Sequence, residues 1–185
     1  MTQKPILKAA SSAPRRSTST TIKNMPKPSR NANMHIIRSS FAKSIMSKVD
    51  LISHLDLTPI EIKTLKETIS VEIRKYTDLI EPRRSSAANK VAEEMGITLS
   101  SLTWHKQNSV DPGRKIFHLE HLWPVCVLRN ACLKASTHSD INSILQKATV
   151  VWILKSEDKV LNENGYRSKR KDPLLAYKTC SIDII

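Results

Sequence analysis

The spacing of apolar positions predicts helices in the first half of the chain. Within residues 34–48, Ile37, Phe41 and Ile45 recur every four residues, which places their side chains on one helical face. Met34 and Met46 lie on the adjoining row of the same face, and the pattern therefore predicts a helix over these residues.

Two further helices are indicated by their start and end signals. Thr58 and Glu61 have the spacing of a capping box, with Pro59 at the first helical position, and the apolar stripe that follows predicts a long amphipathic helix. A shorter helix is predicted over residues 86–95. It ends at Gly96, since glycine readily adopts the left-handed conformation found at helix ends.

The chain after residue 100 changes from a purely helical pattern to a mixed one. Residues 116–120 and the β-branched and aromatic run 148–154 favour two strands. The connection 126–147 is helical or irregular. A short helix is predicted over 157–164, with Ser156 as its N-cap. The order strand, long connection, strand, helix indicates an α+β fold.

Charge is distributed unevenly along the chain. Of a net charge of +13, the first 49 residues contribute ten cations and no acid, so the remainder is nearly balanced at +3. Residues 1–33 are rich in Ser, Thr, Pro and cations, and we expect a disordered basic tail because they offer little apolar surface to bury. Such an arm would attract phosphates without reading sequence. A merely solvated tail and an organelle-targeting peptide within residues 1–30 are the alternatives.

Composition excludes several classes of protein. No run approaches 18 apolar residues, which argues against a transmembrane helix and a membrane partner. Three Cys without a close pair argue against a disulfide scaffold, and three Gly argue against a glycine-rich nucleotide loop. A reducing compartment is the default, so we expect a cytoplasmic protein of a bacterium or a phage.

Four residues after position 115 could carry chemistry together. Glu120 and His121 offer an oxygen ligand and a base at the end of the first predicted strand, where we expect both side chains to reach one site. Asp158 and Asn162 are four residues apart on the predicted helix, so both oxygens lie on one face and could hold a divalent cation. His118 shares the strand side of Glu120, which is compatible with an outer contact or a substrate contact, but a lone histidine is more often simply a satisfied or exposed residue.

These residues carry a resemblance to a known family. The run Glu120-His121-Leu122-Trp123-Pro124 resembles the acidic-His-x-x-Pro motif of HNH nucleases, also called ββα-metal nucleases. The strand 150–154 and the helix with Asp158 and Asn162 resemble the second strand and the ligand helix of that family. The resemblance covers about residues 114–170. Together with the helical patterns before residue 100, it predicts a mainly helical region, 34–100, followed by a ββα-metal module, 101–185.

The family implies a specific chemistry. His121 would be the general base that activates water, and Glu120, Asp158 and Asn162 would hold a divalent cation. The reaction would be hydrolysis of DNA phosphodiester bonds by an endonuclease or nickase, and a homodimer would supply the two sites needed for a double-strand break. Two carboxylates and an amide favour Mg²⁺ or Mn²⁺ over Zn²⁺.

Cations near these residues are candidates for binding the DNA phosphate backbone. They flank the first predicted strand and follow the predicted ligand helix: Arg114, Lys115, Arg167, Lys169, Arg170 and Lys171. The alternative function is a non-catalytic basic nucleic-acid-binding protein or a component of a ribonucleoprotein, in which Glu120 and His121 are incidental.

Overall fold

The computed structural model describes residues 30–185. Most of the predicted basic tail therefore lies outside the described residues. Its last part, residues 30–33, forms the first turn of a helix instead of continuing the tail.

The described residues form an α+β fold that is mostly helical, with eight α-helices and one small three-stranded sheet. The helices are α1 (Arg30–His54), α2 (Pro59–Thr77), α3 (Ser86–Glu94), α4 (Gln107–Val110), α5 (Val125–Cys132), α6 (His138–Leu145), α7 (Lys155–Glu163) and α8 (Pro173–Thr179). The strands are β1 (Arg83–Arg84), β2 (Phe117–His121) and β3 (Val150–Leu154).

Helices α1, α2, α5 and α6 pack around one apolar core. Ile45 of α1, Ile73 of α2 and Ile141 of α6 are all fully buried in it. The capping box of α2 is present, since the Glu61 carboxylate accepts the Thr58 amide at 2.8 Å and the Glu61 amide donates back to the Thr58 hydroxyl. Local signals in the sequence thus predicted α1 and α2, whereas α5 and α6 lie in the connection that was expected only to be helical or irregular.

The sheet has the order β1-β3-β2, with β1 parallel and β2 antiparallel to β3. In the antiparallel pair, Phe117 is opposite Leu154 and His121 is opposite Val150. Strand β1 lies between α2 and α3 in the chain, so the sheet crosses the boundary expected at residue 100. The sequence did not predict β1, because the strand is only two residues long and arginine is not a residue that favours strands.

The two faces of the sheet are covered by different elements. Trp152 faces a cluster built with α3 and residues 99–102, whereas Val151 and Ile153 face α7 and α8. Because side chains alternate along a strand, Leu119 and His121 of β2 share the first face. His118 and Glu120 share the second. Alternation within β2 therefore decides which side chains can meet α7.

The start of β2 is held by a buried carboxylate. Asp111 is 1% exposed and accepts backbone N–H groups from Lys115, Ile116 and Phe117, as well as the side-chain amide of Gln107. Burial raises the pKa of Asp111, but these hydrogen bonds outweigh it and keep the pKa below its ordinary value. This network fixes the point from which β2 enters the sheet.

Helix α7 follows β3 without a loop. It begins at Lys155, so the prediction of Ser156 as N-cap is wrong by two residues. Glu157 takes over part of the capping role, because its carboxylate accepts the Leu154 amide at 2.7 Å and the Ser85 hydroxyl at 2.7 Å. The direct junction holds the first turn of α7 beside β2.

Candidate active site

Three side chains from β2 and α7 converge on the face of the sheet that α7 covers. His118 Nε2 lies 3.0 Å from Glu120 Oε2 and 3.8 Å from Asp158 Oδ1. One donor atom from each residue lies within 4.8 Å of the other two, which is close enough to hold one metal ion. His118 and Glu120 meet because they are two residues apart on a strand, and Asp158 meets them because α7 starts at the end of β3.

The second carboxylate oxygen of Glu120, Oε1, is bound by Arg170. The guanidinium Nη2 donates to Glu120 Oε1 at 2.6 Å, and Nη1 donates to the carbonyl oxygens of His121 and Leu122 at 3.0 and 3.3 Å. The Arg170 residue is only 3% exposed. This leaves Glu120 Oε2 as the oxygen that faces His118.

The electrostatic surroundings keep the Glu120 carboxyl ionised. Burial raises its pKa, but the hydrogen bond from His118 and the positive charge of Arg170 together bring the pKa below its ordinary value. An ionised carboxylate is the form that can bind a cation.

The ring of His118 has a defined orientation. Lys155 Nζ lies 3.3 Å from His118 Nδ1, and an ammonium can only donate. Nδ1 is therefore the acceptor, and the ring proton lies on Nε2, which donates to Glu120. The side chain is 31% exposed, so solvent reaches the site.

Asp158 and Asn162 occupy one face of α7, one turn apart. The Asp158 side chain is 22% exposed, and Asn162 is exposed. The acidic partner of this pair thus lies within the cluster, and the amide lies one helical turn further along the same face.

His121 lies on the opposite face of β2, so the expectation that Glu120 and His121 reach one site is not met. The strand keeps its alternation to the end, and His121 Nε2 contacts Thr77 Oγ1 of α2 at 3.3 Å. Burial lowers the pKa of His121 below its ordinary value, although the nearby Glu120 charge acts in the other direction.

The cations predicted to bind phosphate divide into two groups. Lys115, Arg167, Lys169 and Lys171 are exposed. Arg170 is not a surface cation, because its N–H groups are already occupied by Glu120 and by backbone oxygens. Arg114 lies over the ring of Trp104, with its guanidinium carbon 3.5 Å from the ring centroid.

No protein-family model, curated protein or solved structure matches this chain. Among residues 30–185, no helix has both the length and the apolar character needed to cross a bilayer.

Two members of the site carried only weak signals in the sequence. The two-residue spacing showed that His118 shares the side of Glu120, but not that it would approach Asp158. Arg170 had been grouped with its basic neighbours, and burial of a cation beside a carboxylate cannot be read from a run of positive charge. Together the cluster can bind a cation, and its one imidazole can accept or donate a proton.

Proposed function

We propose that this chain is a metal-dependent phosphodiesterase that hydrolyses nucleic acid, with DNA as the first candidate substrate. The observation that carries the proposal is the convergence of His118, Glu120 and Asp158 between an antiparallel strand pair and the helix that directly follows it. That order of elements also agrees with the ββα arrangement implied by the HNH resemblance.

Glu120 Oε2 and Asp158 Oδ1 are the proposed cation ligands, with the amide of Asn162 completing the set. Both carboxylates border the same space, and the low pKa of Glu120 keeps it charged. These oxygen donors fit Mg²⁺ or Mn²⁺. When bound, the cation would act as a Lewis acid that offsets the charge developing on the phosphate.

His118 is the proposed general base, in place of His121. A base must lie within hydrogen-bond reach of the water that it deprotonates, and His118 Nε2 is directed at the two carboxylates that would surround that water. To act, the ring must give up its hydrogen bond to Glu120, which a cation bound at Glu120 Oε2 would displace. The ring must also take the other tautomer, with its proton on Nδ1 and Nε2 free to accept one, so Lys155 must turn away from Nδ1, because an ammonium cannot donate to a protonated nitrogen.

Phosphate binding near the cluster is assigned to the exposed cations after α7. Arg170 contacts Glu120 directly, and Lys169 and Lys171, which flank it in the chain, are exposed. Cations in such positions attract the phosphate backbone and set its register without reading sequence.

Cleavage of supercoiled plasmid tests the proposal. Purified protein would be incubated with EDTA, Mg²⁺, Mn²⁺ or Zn²⁺, and the Asp158→Gln and Glu120→Gln variants compared with wild type. We expect cutting only with added metal, and a loss of at least about a hundred-fold in either variant, since each removes one charged ligand. Glu163→Gln is the matched control, because Glu163 is an exposed carboxylate on the same helix whose salt bridge is with Lys159.

A non-catalytic nucleic-acid-binding protein is the second candidate. It is favoured by the hydrogen bonds that Glu120 accepts from Arg170 and His118, because these satisfy the carboxylate without a metal ion. Salt-sensitive binding with no cutting in any metal would support this candidate and overturn the nuclease proposal. Metal-dependent cutting that is unchanged in both variants would instead place the reaction elsewhere.

A further inference from the structure

A cavity of about 900 Å³ lies on the opposite face of β2 from the cluster. The C-terminal end of α2 and residues 78–82 form one side of it, residues 100–105 form another, and Leu119, His121 and Val150 line it from the sheet. Its volume falls within the range of small-molecule sites, roughly 300–1,000 Å³. The proposed function makes no use of this cavity.

The walls of the cavity combine apolar and aromatic surface. Leu102, Leu119 and Val150 contribute aliphatic groups, and Trp104 contributes an indole that remains 45% exposed. Arg114 covers one face of that indole, and His105 packs edge-on against it with ring centroids 5.3 Å apart. A large aromatic side chain is thus held in place while part of its surface is open to a ligand.

The polar groups of the cavity include both donors and acceptors. Thr77 donates its hydroxyl hydrogen to the Arg74 carbonyl at 2.7 Å, so its oxygen accepts from His121 Nε2. This leaves Nδ1 as the acceptor of the His121 ring. Hydroxyl groups of Ser101 and Thr103 add further partners on the opposite wall.

The charged groups that border the cavity nearly cancel. Arg74 and Lys75 are balanced by Asp78 and Glu81, and Lys75 forms a salt bridge with Asp78 at 3.4 Å. A site for a free phosphate would carry a net positive charge, and a site for an alkyl chain would not place several acceptors in its wall. A flat neutral heterocycle with donors and acceptors on its edge satisfies both conditions.

We propose that this cavity binds an unpaired nucleobase of a nucleic-acid strand. The base would stack against Trp104, and its edge would meet His121 and the hydroxyl groups of the loop. The choice of nucleic acid rests on the proposed function, and the inference adds a substrate class to it, namely single strands or duplexes with an unpaired base. A base within an intact duplex cannot enter without unstacking.

The cavity and the cluster are close in the chain. Glu120 and His121 are consecutive residues of β2 whose side chains face opposite sides of the sheet. A flexible strand that passes the end of β2 could therefore place a base on one side and its phosphates on the other. A single strand has this flexibility, whereas a duplex does not.

The test compares two single-stranded DNAs that differ only in their bases. A fluorescent thymidine 12-mer and a 12-mer of abasic residues carry the same phosphates, so the basic surfaces attract both equally. Binding of the full chain would be measured by fluorescence anisotropy in EDTA, because EDTA removes the metal and so prevents cleavage during the measurement. We expect at least about ten-fold tighter binding of the thymidine strand, since base stacking is lost in the abasic one.

Two variants test whether this preference arises in the cavity. Trp104→Ala removes the stacking surface, and Ser101→Leu narrows the cavity from an exposed loop position with a side chain that cannot stack on a base. Each should reduce the ratio of the two affinities to about one. Leu174→Ala is the control, because Leu174 is an exposed apolar residue on α8, 54% exposed. Equal affinity of the two strands for wild type, or a preference that persists in both cavity variants, would overturn the proposal.

Asp158→Gln separates this inference from the nuclease proposal. This variant should lose cutting but keep the preference for bases, because Asp158 lies on the other face of the sheet. A base preference without metal-dependent cutting would leave the cavity assignment standing and remove the nuclease. Metal-dependent cutting without a base preference would leave the nuclease proposal standing and remove the cavity assignment.

Discussion

Arg170 and Glu120 form an ion pair of 2.6 Å in which the guanidinium side chain is 1% exposed and the carboxylate side chain 16%. The pair joins the segment after α7 to the end of β2, the strand that supplies two of the three residues of the cluster. Arg170 also lies over Tyr177 of α8, 5.4 Å from the ring centroid. One buried cation therefore links three elements and fixes the carboxylate that faces His118.

Removing Arg170 should destabilise the protein strongly. Arg170→Met leaves the buried Glu120 charge and three backbone carbonyls, those of His121, Leu122 and Tyr166, without their donor, and loss of one member of a buried pair costs about 3–5 kcal/mol. Urea unfolding at pH 7 would measure the free energy of unfolding. The matched control is Arg167→Met, which removes an exposed cation from the same segment and should change stability by less than about 0.5 kcal/mol.

The double variant Arg170→Met with Glu120→Gln should recover part of that loss. It removes the unpaired charge that the single variant leaves behind. If Arg170→Met were as stable as wild type, the ion pair would have no structural role.

His118 and His121 should differ in the step that each affects. His118→Ala should lower kcat by about 10²–10⁴-fold, the usual contribution of a general base. His121→Ala should mainly raise KM for single-stranded substrate, because this ring lines the cavity on the other face. Steady-state cleavage of a fluorescent oligonucleotide separates the two parameters. A fall in kcat for His121→Ala equal to that of His118→Ala would instead support the role that the HNH resemblance implies.

Stability should fall as the pH drops below about 6.5, the ordinary pKa of histidine. Burial lowers the pKa of His121 in the folded state, so below pH 6.5 the unfolded chain binds a proton that the folded chain does not. Folding is then opposed by up to about 1.4 kcal/mol per pH unit for this one proton. Urea unfolding between pH 5 and 7 measures the slope.

His121→Gln removes the titrating group from that measurement while keeping a side chain that can hydrogen-bond to Thr77. We expect a shallower slope than wild type in the same pH range. An identical slope in the two proteins would mean that His121 is not the source of the pH dependence.

The N-terminal segment should contribute affinity that is sensitive to salt. Residues 1–29 carry six cations and no acid, and each phosphate contact adds about 0.9 to the slope of log K against log salt on duplex DNA. A chain that begins at Arg30 should therefore bind more weakly at low salt and show a smaller slope, as measured by anisotropy between 50 and 200 mM salt. An unchanged slope would exclude a phosphate-binding role for this segment.

Local patterns predicted most of the elements, because the interactions that define them are local. The capping box of α2 joins residues three apart, and the left-handed glycine after α3, Gly96 at φ +67°, needs only its own backbone. The β-branched run 148–154 predicted β3 for the same reason. The start of α7 was missed although Glu157 and Leu154 are also only three residues apart. The Glu157 carboxylate is held as well by Ser85, 72 positions earlier in the chain, and no local pattern shows that contact.

Backbone periodicity places His118 and Glu120 on one side of β2 and Asp158 and Asn162 on one face of α7, so both pairings follow from the order of the residues. That these two faces meet depends on tertiary packing. The same packing turns His121 toward α2 and buries Arg170. It depends on how β2, α7 and the C-terminal segment fit together, and it joins residues such as Glu120 and Arg170, which are 50 positions apart in the chain.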